Sequence, residues 1–442
     1  MQLVNTTIVK KYILIFLCSS LMITHIKAQE NSPYSRYGLG DIVPSQNTIN
    51  RAMGGISAAY HDYQSINFTN PASYANISLV TYDLGLEIDS RTLYSASQNQ
   101  KYTSNNLTPS YLQLGIPLRR NWAVVVGLRP LTRVQYKVSN TTRINTTDSV
   151  QITYEGSGGL NEAYLGMGYK MGDFSFGANM RYLFGNRNIS TKILFLNDTL
   201  SYQNENYEDD THFANIAYNT GIQYEHIFKN NLMLTLGVSG SGEQKMFGYK
   251  DIIRETFQPS NGSGDILVDS VYKATGVRGK VSYPLNYNVG FMLTQLSKDK
   301  YNNKVPLWSF GAEYSSTQWS KYRFYGEKDA VNDSWLAKIG GEITPNALNP
   351  KSFWARVSYR LGGYYGKDYI NTNGQLSTYA FTAGLGLPVR RWNAYSNQFT
   401  QINTAFEIGK RGNSTNIISE NFFKITLGFC LSDIWFRRYK YD

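Results

Sequence analysis

Few side chains in this 442-residue chain are spaced for covalent or metal chemistry. Of the four histidines, His25 lies in the leader, and His61, His212 and His226 are too far apart for a ligand pair such as H-E-x-x-H. Gly237-Val238-Ser239-Gly240 starts like a nucleophile elbow but continues with Ser241 where the elbow needs glycine. Gly156-Ser157-Gly158-Gly159 lacks the Lys-Ser/Thr that a phosphate loop carries. Cys430 is the lone cysteine after the leader and reads as packing rather than nucleophile. A hydrolase assembled from scattered Asp, His or Ser is the one enzymatic reading that three histidines leave open. The expectation is therefore no enzyme, no cofactor and no metal.

The charged residues show a pattern of another kind. Asp83, Glu87, Arg129, Arg181, Glu225, Glu313, Lys338, Glu342, Arg356, Arg360, Glu407 and Lys424 occupy alternate positions in segments whose other positions are apolar. Successive side chains of a strand point to opposite faces. Fourteen such segments run near 78–90, 107–117, 122–138, 161–171, 173–187, 213–227, 231–243, 283–296, 306–318, 334–344, 352–365, 377–388, 398–409 and 420–432. In the fifth, Phe174, Phe176, Met180, Tyr182 and Phe184 share one face and Ser175, Gly177, Asn179 and Arg181 the other.

The gaps between segments alternate short and long, as in an outer-membrane barrel with tight periplasmic turns and long external loops. No span of about 18 apolar residues follows the leader, so a closed barrel is the remaining way across a bilayer. The mean hydropathy of −0.37 fits period-2 strands and rules out a helical bundle in lipid. The 35 tyrosines suit aromatic girdles. A soluble sandwich is the competing architecture. The predicted fold is thus all-β: a transmembrane antiparallel barrel of about 14 strands, its apolar stripes facing outer-membrane lipid and both termini periplasmic. Further β-like runs near 148–155 and 266–272 read as loop hairpins; counted as wall, they would make sixteen strands.

Residues 1–28 read as a signal peptide: Lys10 and Lys11, the apolar run Tyr12 to Ile23, and Ile26-Lys27-Ala28 before the cut. Cleavage removes three lysines and no acid from a formal net charge of +11. The basic excess is scattered, without the dense block that nucleic acid selects. Residues 29–77 carry Pro33, Pro44, Pro71 and Gly54-Gly55, and form no strand pattern. They read as a hatch or plug in the lumen, 78–432 as the barrel, and 433–442 as a periplasmic tail. The inward glycines Gly115, Gly127, Gly166, Gly168, Gly290, Gly311, Gly384 and Gly386 leave room for that occupant.

Arg51-Ala52-Met53-Gly54-Gly55 followed by Asn70-Pro71-Ala72 resembles the hatch of the FadL/TodX-like outer-membrane transporters of hydrophobic compounds. Pro33-Tyr34-Ser35-Arg36-Tyr37-Gly38 and Trp435-Phe436-Arg437-Arg438 resemble a Bacteroidota branch of that family. The resemblance implies a fourteen-stranded barrel, a luminal hatch holding Gly54, Gly55, Asn70, Pro71 and Ala72, and sideways release through a kink in the third strand. Gly127 and Pro130 interrupt the third segment here. Proline cannot donate to a ladder, so Pro130 marks either a wall opening or the rim where pairing has ended. The implied function is passive transport of a hydrophobic small molecule, such as a long-chain fatty acid, into the membrane. Distant members of the family are non-transporting barrels, so the alternative is a subunit of an outer-membrane secretion (type 9-like) or barrel-assembly complex, with protein partners.

Overall fold

The protein is described by a computed structural model covering residues 32–95, 99–144, 148–196, 202–260, 264–298, 304–346, 352–389 and 399–433. The expected signal peptide and the tail beyond Asp433 lie outside these residues.

Alternation of apolar and polar residues builds the wall. In chain order the strands are β1 (Val80–Ser95), β2 (Gln100–Arg119), β3 in two halves (Trp122–Pro130 and Thr132–Arg143), β4 (Ser149–Met171), β5 (Phe174–Phe195) and β6 (Asn204–Ile227). Then come β7 (Leu232–Ser241 and Gln244–Ser260), β8 (Gly264–Tyr283 and Asn286–Lys298), β9 (Lys304–Thr317) and β10 (Ser334–Ile343). The last are β11 (Ser358–Asn371), β12 (Gln375–Val389), β13 (Phe399–Arg411) and β14 (Ile418–Asp433). Neighbours in sequence pair antiparallel, and β14 closes on β1 from Asp433 opposite Val80 to Ile418 opposite Ser95. The wall is a closed fourteen-stranded antiparallel barrel.

The barrel is turned inside out relative to a soluble core. Phe174, Phe176, Met180 and Tyr182 are exposed, whereas Ser175, Asn179 and Arg181 on the other face are buried. Phe423 and Leu431 are likewise exposed while Lys424, Thr426 and Cys430 are buried. This polarity suits hydrocarbon outside. Among the described residues no helix is long and apolar enough to cross a membrane.

The runs near 148–155 and 266–272 are neither loop hairpins nor extra wall strands. They are the upper stretches of β4 and β8, in ladders with β3 and β7. Such ladders carry several strands far past the apolar belt. β7 and β8 break at facing positions, Gly242-Glu243 and Pro284-Leu285, and Pro284 has no N–H to offer the ladder. The eleventh segment starts at Ser358 rather than 352, because Trp354–Arg356 form a 3-10 turn.

Residues 32–77 make short elements: 3-10 turns at Pro33–Arg36 and Pro71–Asn76, a two-residue strand at Asp41–Ile42, and helix α1 at Thr48–Ala52. Asn47 caps α1, its side-chain oxygen accepting from the Asn50 N–H at 2.9 Å. All five residues of α1 are buried, and the segment packs on inward-facing wall side chains.

Candidate functional site

The leading segment meets the wall where the wall has no side chains. Gly54 has φ +70°, and a Cβ there would lie 2.6 Å from the carbonyl oxygens of Ile339 in β10 and Gly363 in β11. Its N–H donates to Thr382 Oγ1 at 2.8 Å, and that hydroxyl donates to the Ala52 carbonyl at 3.0 Å. Gly55, also at positive φ, offers its carbonyl to Lys338 Nζ at 3.3 Å. The buried Asn70 side chain caps the second 3-10 turn by accepting from the Ala72 N–H at 3.1 Å and donates to the Ala58 carbonyl at 2.6 Å. Backbone at Pro71 rests on Gly168 and Gly177, and the Asn70 side chain rests on Gly221. Asn70, Pro71 and Ala72 therefore sit against β4, β5 and β6.

The luminal charges pair with the segment and with each other. Arg51 of α1 bridges Glu87 of β1 and donates to Thr426 at 2.9 Å. Glu313 of β9 takes Lys338 at 2.7 Å and accepts from the backbone N–H groups of Ser57 and Ala58, each at 2.6 Å. Arg129 and Arg181 share Glu162. Glu342 binds Arg360 at 2.9 Å, which also donates to Asn403 at 2.9 Å. Asp83 accepts from Gln113 at 3.4 Å, and Glu407 accepts from the Tyr364 hydroxyl at 2.7 Å. Glu225 joins Lys170 at 3.0 Å and His61 at 3.4 Å. Lys424 lies over the Phe422 ring. Arg356 is placed elsewhere: it belongs to the turn before β11, beside Phe353, and not to the inward face of a strand.

A larger cluster lies nearer the long-loop end. Asp41 bridges Arg91 and Arg411, each at 3.0 Å; Asp89 holds Arg91, Asp368 holds Arg411, and Glu420 meets both arginines. Burial pushes the Asp41 carboxyl up, but the two guanidiniums and Lys424 outweigh it and hold the group well below the usual carboxylate range. Sequence reading omitted this cluster and Glu162. Parity was the available signal: Asp89 and Arg91 continue the Asp83–Glu87 face, Arg411 continues that of Glu407, and Arg91 and Arg411 lie just past the expected ends of their segments.

A chamber of about 350 Å³ lies among these groups, lined by Asp41, Arg51, Arg91, Arg129, Glu162, Arg181, Glu407, Arg411, Glu420 and Lys424 as well as Tyr364 and Trp335. An apolar cluster including Tyr34, Leu39, Leu131, Leu183, Trp319, Tyr322 and Tyr369 is buried at its long-loop side. The walls of the chamber combine these ion pairs with apolar surface from Ile42, Val43, Phe68, Leu131, Trp319 and Phe422.

The third strand is interrupted just after Pro130, at Leu131. Pairing of β2 with β3 ends at Leu112 opposite Leu128, near the outer end of the apolar belt. Above it the edge of β3 takes the two-residue strand of the leading segment, Asp41 opposite Arg133 and Ile42 opposite Thr132. Val43 adds a bond to the Leu131 carbonyl at 3.0 Å, and Arg133 reaches across to the Pro109 carbonyl at 3.2 Å. The space that a side chain at Gly127 would need is filled by the Tyr164 ring.

The sequence matches the family model BamG over residues 8–442. The chain belongs to the BamG family. This BamG-family barrel matches no curated protein. Its backbone is similar to the toluene transporter TodX of P. putida, with a TM-score of 0.54 and 13% identity over 90% of this chain and 100% of that one. The toluene transporter TbuX of Ralstonia pickettii gives 0.52 and 13% over 88% and 99%. A Pseudomonas aeruginosa FadL homologue gives 0.52 and 13% over 89% and 98%. The BamG-family chain thus has the FadL/TodX barrel fold of the bacterial outer membrane, and these neighbours are named as transporters or FadL homologues rather than enzymes.

Proposed function

We propose that this barrel is a non-transporting subunit of an outer-membrane protein complex, of the kind that secretes proteins or assembles barrels. The observation that carries this reading is the buried polar attachment of residues 32–77 to the wall, above all Glu313 held by Lys338 and two hatch N–H groups. Residues 32–77 act as a fixed plug. Moving them would expose several buried charges at once, each costing a few kcal/mol when its partner is removed. The long connections face outward and both termini face the periplasm. Purification in a mild detergent followed by mass spectrometry tests the proposal: partner proteins in fixed ratio to the barrel support it, and a lone barrel carrying bound hydrophobic molecules overturns it.

A second reading is passive transport of a hydrophobic small molecule with lateral release. The observation favouring it is the end of β2–β3 pairing above Leu128, where Asp41–Val43 of the leading segment takes up the β3 edge in place of β2. Uptake of toluene or a long-chain fatty acid into cells with and without the protein separates the two. Equal uptake removes the transport reading.

A further inference from the structure

Six strand stretches rise past the belt as an open curtain: the second half of β3, the upper parts of β4, β5 and β6, the second half of β7 and the first half of β8. At the foot of the curtain β7 and β8 pair without a register shift from Gln244 opposite Tyr283 to Lys250 opposite Val277. Met246 and Val281 are buried on the inner face, so the alternate positions Lys245, Phe247, Tyr249, Arg278, Lys280 and Ser282 point outward. The stretch joining β9 to β10 sets Arg323 opposite Ser282, while Phe324 next to it pairs with Val281 and packs on the inner apolar cluster.

Four cations therefore crowd one patch of the outer surface, with Lys280 at its centre. Lys245 and Arg323, both opposite Ser282, are its diagonal neighbours on either side, and Arg278 stands two residues above it on β8. Their β-carbons fall within about 8 Å of that of Lys280. Among the described residues none of the four is in an ion pair. Arg278 lies over the Phe247 ring at 4.1 Å, and Arg323 donates to the Ser320 and Tyr322 carbonyls. Glu243, two residues below Lys245 at the break in β7, is exposed and no ion pair joins it to the patch. Like charges this close repel, and an anion between them removes that cost.

The height of the patch indicates which anion. On the belt half of β8, Leu285, Tyr287, Val289 and Phe291 share the outward parity. Ser282 stands three residues above Leu285, about 10 Å of strand and about 8 Å of height at a tilt of about 40°. Headgroups occupy about 5–8 Å on each side of the hydrocarbon. The neighbouring ladders agree. Arg278 faces Tyr249, Tyr249 faces His212 and His212 faces Asn186, the first polar residue above Phe184 on the outward stripe of β5.

We infer that Lys245, Arg278, Lys280 and Arg323 form a docking patch for the phosphate headgroup of an anionic outer-leaflet lipid. Ammonium and guanidinium groups donate charge-assisted bonds to phosphate oxygens, and the Phe247 ring holds Arg278 in place for it. The acyl chains lie below, against Tyr218, Val238 and Tyr287, which are exposed on the same outward face. The inference goes beyond the complex proposed above and does not depend on it.

The test uses the full chain purified in mild detergent, with bisphosphorylated lipid A as the probe and native mass spectrometry reading the lipid retained. Lys245→Gln with Lys280→Gln lowers retention at least about tenfold. Arg119→Gln with Arg120→Gln, which removes two exposed charges at the β2–β3 turn, leaves it unchanged. Dephosphorylated lipid A binds the parent and the patch variant alike. Heat-modifiable mobility shows that each variant is folded, and Lys280→Gln alone replaces the double variant if that one fails to fold. Equal retention of lipid A by the parent and the folded patch variant overturns the inference. Inorganic phosphate bound as tightly as lipid A makes a free anion the occupant and overturns it too. A patch variant that keeps its lipid and loses a partner protein assigns the surface to protein contact, and likewise overturns it.

Discussion

The belt of the barrel and the curtain above it are made from the same strands and obey opposite rules. In β5 the outward series is Phe174, Phe176, Ala178, Met180, Tyr182 and Phe184; two residues on, the same parity reads Asn186, Asn188, Ser190 and Lys192. The opposite parity changes from Ser175, Asn179 and Arg181 to Leu183, Ile189 and Ile193. The period of two persists while its polarity inverts. The backbone ladder therefore does not depend on which solvent surrounds it, but the choice of side chain does. Within the belt the inner face packs on residues 32–77 through buried ion pairs. In the curtain side chains are mostly half-exposed, and contacts such as Ser139 with Thr153 lie in water.

That contrast orders the expected effects of substitution. The largest loss is expected at Gly54. A side chain there collides with two wall carbonyls at a positive φ, so Gly54→Val costs at least about 3 kcal/mol. The measurements are urea unfolding and protease access to residues 32–77; a variant as stable and as protected as the parent would show that the plug is not tightly seated.

Glu313→Gln comes next. It leaves the Lys338 ammonium, 6% exposed, without its counter-ion. A loss of about 3–5 kcal/mol is expected, and adding Lys338→Met should recover part of it. No recovery would mean that the carboxylate matters for Ser57 and Ala58 alone.

A smaller effect is expected from acid at Asp41. Its carboxyl titrates lower in the folded protein than in the unfolded chain. The stability it contributes is fully present above the unfolded value of about 4 and is lost as pH falls from there toward the folded value. Asp41→Asn should flatten that part of a stability-against-pH curve, and an unchanged curve would place the acid sensitivity elsewhere. In the curtain, Ser139→Ala should change stability by no more than about 0.5 kcal/mol. A loss as large as that at Glu313 would erase the distinction between the two regions.

Much of the barrel was legible because a strand's faces alternate wherever its ladder is regular. Phe174 to Phe184 and Phe423 to Leu431 each declare an apolar face from sequence alone, and Gly54-Gly55 marks backbone that a Cβ would obstruct. The curtain was not legible as wall. Its side chains are polar on the outward parity, so segments seemed to stop at the belt, and Ile266 to Tyr272 read as a separate hairpin. Arg91 and Arg411 escaped for the same reason, lying just beyond the apparent strand ends, whereas Asp41 lies in the stretch without a strand pattern.

By itself the sequence determined an all-β wall of about fourteen strands, with sixteen left open, and the face most strands turn to lipid, because these are local consequences of period-2 side-chain direction in hydrocarbon. Tertiary structure alone decided which charges meet: Arg51 finds Glu87, and Lys338 finds Glu313. It also decided that Asp41–Ile42 continues the β3 edge and that Phe324 meets Val281 on β8. Those outcomes depend on barrel closure and on the path of residues 32–77, which bring together residues hundreds of positions apart and leave no periodic trace in the chain.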